Sequence, residues 1–189
     1  MKVLVACEFS GIVREAFAKR GHDAWSCDLL PTEIPGKHLQ WDVLSIFNNK
    51  WDLMIAHPPC TYLTISANKW YKPEFKDRFP TRYQDRYKAI VFFMELMNAP
   101  INKIAVENPI GIMSSCYRKP DQVLQPWMFG HGETKATCLW LKGLPVLKST
   151  KVVSGREGRL HKLPPSKDRW KLRSITYQGI ANAMAEQWG

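Results

Sequence analysis

WDLMIAHPPCTYLT, Trp51 to Thr64, is the stretch around which the chain can be read. Leu53, Met54, Ile55 and Ala56 are apolar without alternation, the pattern of a strand buried on both faces of a parallel sheet. Pro58 and Pro59 stop that strand, because proline donates nothing to a ladder and restricts the residue before it. The first residue past the stop is Cys60. In an open α/β sheet, ligands sit at the carboxyl ends of the strands. The spacing therefore delivers a thiol into such a site, and Cys60 is a candidate nucleophile.

Working outward, Lys2 to Ala6 is a strand candidate that runs through Glu8-Phe9-Ser10-Gly11 into a helix over Ile12 to Arg20, ended by Gly21. Strand, glycine turn and helix open a doubly wound nucleotide-binding fold, although one glycine is also what an ordinary turn uses. Asp23 to Cys27 reads as a second strand ending at Asp28. An acidic side chain at that tip suits ribose hydroxyls or, equally, a loop cap. A third strand is expected over Leu39 to Leu44, carrying Asp42. Ile104, Ala105 and Val106 form another strand that ends in Glu107-Asn108-Pro109, repeating the logic of Cys60 and placing the two strand ends side by side. A turn at Phe129 to Gly132 feeds a strand over Ala136 to Leu141, and Thr176 to Trp188 closes the chain as a helix.

Composition allows one domain spanning residues 1–189: 45% of residues are hydrophobic and 23% charged, ordinary values for a globular protein. The formal charge of +10 argues for a polyanionic partner, most simply nucleic acid. No apolar run approaches the roughly 20 residues of a membrane span. Met1 to Cys7 faintly mimics a lipoprotein cleavage site, but Glu8 and Arg14 follow at once, and the segment reads as the first core strand. Cysteines at 7, 27, 60, 116 and 138, without a CxxC pair, suit free thiols in a reducing, cytoplasmic setting. Zinc is not expected, since His57 and Cys60 have no second close-spaced pair. A zinc nucleobase deaminase is excluded by the missing HxE and by Leu63 where its second cysteine would stand.

Two segments concentrate positive charge. Lys69 to Lys88 carries seven basic residues among the aromatics Trp70, Tyr71, Phe75, Phe79, Tyr83 and Tyr87. Lys69, Lys72, Lys76 and Arg78 are read as nucleic-acid contacts, with rings for base stacking. Tyr83 and Tyr87 are instead expected to begin the buried face of the following helix, with Ile90, Val91, Met94 and Met97. Residues 148–173 hold nine Lys or Arg against Glu157 and Asp168, in a glycine- and proline-punctuated, loop-rich segment. Lys167, Arg169 and Lys171 are its expected nucleic-acid contacts.

Taken together, these residues resemble the DNA cytosine-5 methyltransferase family, in a compact, bacteriophage-like form. His57-Pro58-Pro59-Cys60 is similar to its Pro-Pro-Cys nucleophile motif, and Glu107-Asn108-Pro109 to its Glu-Asn-Val motif. Phe9-Ser10-Gly11 resembles its cofactor loop, and Ile180-Ala181-Asn182-Ala183 its C-terminal motif that returns to the cofactor. The resemblance implies a Rossmann-like, mostly parallel doubly wound α/β sheet of the class I S-adenosylmethionine-dependent methyltransferase type. It implies S-adenosyl-L-methionine held by Phe9, Ser10, Gly11, Asp28, Asp42, Pro58 and Asn182, with Cys60, Glu107 and Asn108 catalytic. Three departures stand out. Val13 and Arg14 replace further glycines, Glu133-Thr134-Lys135 occupies the place of a Gln-x-Arg-x-Arg element, with Lys135 standing for one arginine, and no large target-recognition domain is present.

The implied chemistry suits the residue types. Cytosine C5 is a poor nucleophile until a thiolate adds to C6. Glu107 would stabilise charge developing at N3 and the amino group, and a base not identifiable from sequence removes the C5 proton. In a duplex the target base must be flipped out, with Lys69 to Arg78 the candidate closing loop. The alternatives are C5 methylation of RNA or a free pyrimidine nucleotide, or an inactive nucleic-acid-binding scaffold. Amino-methyltransferases carry an aromatic residue after the prolines, where this chain has Cys60.

Overall fold

The computed structural model describes residues 1–189, and its centre is a seven-stranded sheet in the order β3-β2-β1-β4-β5-β7-β6. The strands are β1 Lys2–Ala6, β2 Asp23–Asp28, β3 His38–Gln40, β4 Leu53–Ala56, β5 Lys103–Pro109, β6 Gln122–Leu124 and β7 Thr137–Lys142. The first five run parallel, while β7 lies antiparallel between β5 and β6. This is a Rossmann-like α/β sheet, with the strand order of the class I methyltransferase type. The helices are α1 Ile12–Ala18, α2 Arg82–Met97, α3 Met113–Cys116, α4 Arg159–Lys162, α5 Arg169–Ser174 and α6 Gln178–Trp188.

The unalternating apolar strands are explained by two cores, one on each face. Val3, Val5, Leu53, Ile55, Ala105 and Leu139 point to one side, where α1 supplies Val13 and Phe17 and α6 supplies Ile180, Met184 and Trp188. Leu4, Ala6, Met54, Ala56, Ile104 and Val106 point to the other, against Phe93, Leu96 and Met97 of α2. There Trp140 meets the edge of Phe93 at 5.1 Å. Every residue of β4 is buried, and Leu53, Met54 and Ile55 each contribute about 1.5–3 kcal/mol when taken from water.

Three expectations are corrected. The third strand stops at Gln40, because the Asp42 carboxylate accepts the Leu44 amide at 3.0 Å and starts a 3-10 turn over Val43–Ile46. The short strand β6 is an addition at the sheet edge. Tyr83 and Tyr87 do not begin the buried face of α2; they are 68% and 69% exposed. With Val91 they form an outward row at i, i+4 and i+8, and the helix turns Phe93, Leu96 and Met97 inward instead. No helix is long and apolar enough to cross a membrane.

Candidate functional site

The loop after β1 is built by one buried carboxylate. Glu8 is 4% exposed and accepts the backbone N–H of Val13 at 2.7 Å and of Arg14 at 3.2 Å, with the Ser10 hydroxyl at 3.2 Å. The side chain thus satisfies donors that a helix otherwise leaves open at its amino end. Gly11 turns the chain into α1 at φ 76°, a left-handed conformation that a side chain resists. Phe9 and Ser10 are buried beneath this turn. Asp28 ends β2, accepts the Leu30 amide at 2.9 Å, and has its carboxyl raised by burial against the pull of those amides and of His38. Asp42 follows β3 on the same carboxyl edge, while Leu29 and Trp41 beside these acids are 72% and 63% exposed. Acidic groups with open apolar side chains suit ribose and a flat base. The Val13 and Arg14 amides, which could otherwise meet an anion, are already taken by Glu8.

The second half of the site comes from β4 and β5. Ala56 pairs with Val106; β4 ends there, whereas β5, expected to stop at Val106, runs on to Pro109 against β7, so that Glu107 lies inside the strand with His57 beside it. The His57 Nδ1 lies 3.2 Å from Glu107 Oε2. The Asn108 amide, 1% exposed, donates to the Pro58 carbonyl at 3.0 Å and ties the two strand ends together. Asn108 and Pro58 therefore hold the frame on which Cys60 is presented. The Cys60 carbonyl accepts the amides of Leu63 and Thr64, both at 3.0 Å, closing a tight turn. Residues 63–65 then bond to Ile110 and Ile112, and at Gly111 an added Cβ would run into the Leu63 carbonyl.

The charges around this turn are coupled. Burial pushes Glu107 up, but the hydrogen bond and charge of His57, with Lys135, outweigh it and hold the carboxyl below its ordinary range. Cys60 is exposed as a residue, yet desolvation by the groups around its thiol raises it and Glu107 raises it further, while Lys135 and Arg173 oppose them. Cys60, Glu107 and Lys135 are thus within electrostatic reach of one another, and the resting thiol is held protonated. Alkylation of Cys60 is expected to be slow at neutral pH and to climb past the ordinary thiol range. Lys135→Ala, by removing a positive charge, should slow it by a further factor of a few at fixed pH. A rate levelling off near neutrality would contradict this electrostatic picture.

The expected nucleic-acid residues divide. Lys72, Lys76 and Lys167 are exposed, and their side chains make no hydrogen bond or ion pair. Lys69 and Arg78 rest on the Trp70 ring at 4.4 and 5.9 Å. Arg82 is caged by Tyr62, Tyr71 and Phe79 at 5.0–5.4 Å, and Arg86 stacks on Tyr71 at 3.4 Å. Much of the interleaved charge is therefore engaged within the loop. Arg169 donates to the Leu163 carbonyl at 2.8 Å, and Lys171 pairs with Glu33. Lys135 turns inward, donating to the Ile175 carbonyl at 3.2 Å beside Glu107. Helix α5 lies over the cleft loop, with Trp170 5.7 Å from Phe9. Asn182 is exposed on α6 and accepts from Gln178 at 2.9 Å.

Residues that the sequence reading passed over also shape the site. Tyr177 donates to Glu133 at 2.8 Å, and Glu133 pairs with Arg159, so the Glu133-Thr134-Lys135 segment is fastened at its first residue. His57, Lys135, Thr137, Thr176 and Tyr177 line a small pocket with Glu107. His57 stood in the His57-Pro58-Pro59-Cys60 motif without a role of its own, and its contact with Glu107 follows from the strand register.

No family model and no curated protein matches the chain. Among solved structures, it is similar to a candidate DNA modification methyltransferase encoded within an E. coli prophage. The two share 15% identity at a TM-score of 0.49, over 80% of this chain and 51% of that one. The chain thus spans about half the length of that protein. The fold assignment rests on the strand order described above.

Proposed function

We propose that the protein methylates cytosine C5 in DNA, using S-adenosyl-L-methionine and a transient bond between Cys60 and C6. The observation that supports the reading is the placement of Cys60 just past β4 within electrostatic reach of Glu107 on the neighbouring β5. Phe9, Ser10 and Gly11 would line the cofactor with Asp28 and Asp42, and Asn182 lies on the helix packed against α1. When bound, the cofactor supplies an electrophilic methyl group.

The chain's own residues supply the rest. The Cys60 thiolate bonds to C6, and the displaced electron pair runs through C4 to N3. Glu107 accepts from the amino group and, once it carries a proton, donates to N3, where that charge collects. C5, now enamine-like, gains the methyl group and loses its proton to a base, and the thiolate leaves. Lys135, 5.9 Å from the Tyr177 ring, places a positive charge beside both reacting groups.

The proposed test is transfer of labelled methyl to duplex DNA, single-stranded DNA, RNA and dCMP. Label in 5-methylcytosine of DNA supports the reading; label only in RNA or dCMP moves the substrate, and absence of cofactor binding rejects the enzyme in favour of a scaffold. For the interface, Lys72, Lys76 and Lys167 carry the proposal. Changing all three to Gln should flatten the slope of log affinity against log salt by up to about 2.7, from roughly 0.9 per phosphate contact. An unchanged slope would remove them from the interface.

A further inference from the structure

We infer that His57 is a positioning residue that supplies Glu107 with the proton needed at N3, an inference that rests on the cytosine reading above. The His57 and Glu107 side chains are only 9% and 19% exposed, and Nδ1 faces Oε2 at 3.2 Å. An ionised carboxylate only accepts hydrogen bonds, so Nδ1 is the atom that carries the hydrogen in this contact. The opposite ring nitrogen, Nε2, is buried and has no partner in the protein. Buried polar atoms are nearly always paired, and an exception calls for a reason. Here the reason is a ring whose second nitrogen is left able to gain and lose a proton, in the small pocket shared with Lys135 and Tyr177.

The proton balance can be written through. The Cys60 thiol first gives its proton to solvent; as the thiolate Sγ bonds to C6, the C5–C6 π pair moves to C4–C5 and the C4–N3 π pair moves to N3. Glu107, ionised at rest, has no proton to give. His57 in its imidazolium form passes the Nδ1 proton to Oε2, and a half-turn of the carboxyl group brings that O–H to N3. The O–H bond breaks as N3–H forms, leaving carboxylate and neutral imidazole. When the thiolate leaves C6, the N3 proton returns by the same route, so no proton is consumed. The groups facing this relay are Glu107 on β5, Lys135 ahead of β7 and Tyr177 ahead of α6, with the Cys60 thiol and Arg173 beyond.

The decisive variant is His57→Asn, whose amide can occupy the place of Nδ1 and donate to Glu107 but cannot pass on a proton. Methyl transfer should fall about 100-fold in kcat, within the range typical of a lost acid–base group. KM for DNA and the affinity for S-adenosylmethionine should change little, and the pH–rate profile should lose the ionisation assigned to His57. A kcat and pH profile like the wild type would overturn the inference, since a purely structural hydrogen bond is preserved by Asn. Should that variant melt early, His57→Gln serves in its place. Trapping of wild-type protein on an oligonucleotide containing 5-fluorocytosine separates the two levels. A trapped adduct with an unaffected variant sinks the His57 role alone, and no adduct with the wild type sinks the cytosine reading and this inference together.

Discussion

Cys60→Ser is expected to abolish methyl transfer while leaving the protein folded and able to bind its cofactor. A serine hydroxyl is not ionised at neutral pH, so it cannot add to C6, and loss of a covalent nucleophile typically costs on the order of 10⁴-fold or more. Stability should stay within about 0.5 kcal/mol, because Cys60 is exposed and its sulfur makes no hydrogen bond. What fixes the turn is backbone: the carbonyl of residue 60 accepts from residues 63 and 64 whatever the side chain. The check is labelled methyl transfer beside calorimetry with S-adenosylmethionine. Near-normal turnover in the variant would exclude Cys60 as nucleophile.

The second large effect is on stability. Arg14 is 1% exposed, and its guanidinium donates to the Ser26 hydroxyl at 3.0 Å, the Thr32 hydroxyl at 3.1 Å, the Ile34 carbonyl at 2.6 Å and Glu15 at 3.0 Å. It pins the loop 32–36 back onto α1. Gly11 and Gly36 leave the space for it, since a Cβ on either would come within 2.7 Å of Nη2. Arg14→Leu keeps some bulk but strands those acceptors, and is expected to cost about 3–5 kcal/mol. For a chain of this size that lowers Tm by roughly 6–20 °C. Urea melts measure it directly, and a loss under about 1 kcal/mol would mean that water replaces the guanidinium without penalty.

Arg14 also shows where sequence reading stops. Beside Gly11 it looked like a departure from a glycine-rich loop, because residue type says nothing of a partner twenty positions away. Its role depends on where residues 26 and 32–35 return in space. The places of Cys60 past β4 and of Glu107 beside it on β5 were legible because each follows an apolar run that needs no tertiary information beyond parallel pairing. Tyr83 and Tyr87 misled because α2 is aromatic or aliphatic on more than one face, so its periodicity does not choose the inner one. Lys171 and Arg169 were read as outward charge, yet α5 folds back over Phe9 and turns Lys171 to Glu33. Composition reports charge without reporting what the charge meets.

The Glu8 carboxylate has a bearing on competition. Nucleotides that carry phosphates, abundant in any cell, share the adenosine portion of a methyl donor and fit the same crevice in related folds. They gain most of their hold from free amides at the amino end of a helix. In this chain those amides already bond a fixed negative group, which repels a second anion and offers it nothing in return. A cationic sulfonium meets no such penalty. On the proposed reading, selectivity for the methyl donor is therefore set as much by what this loop rejects as by what it holds.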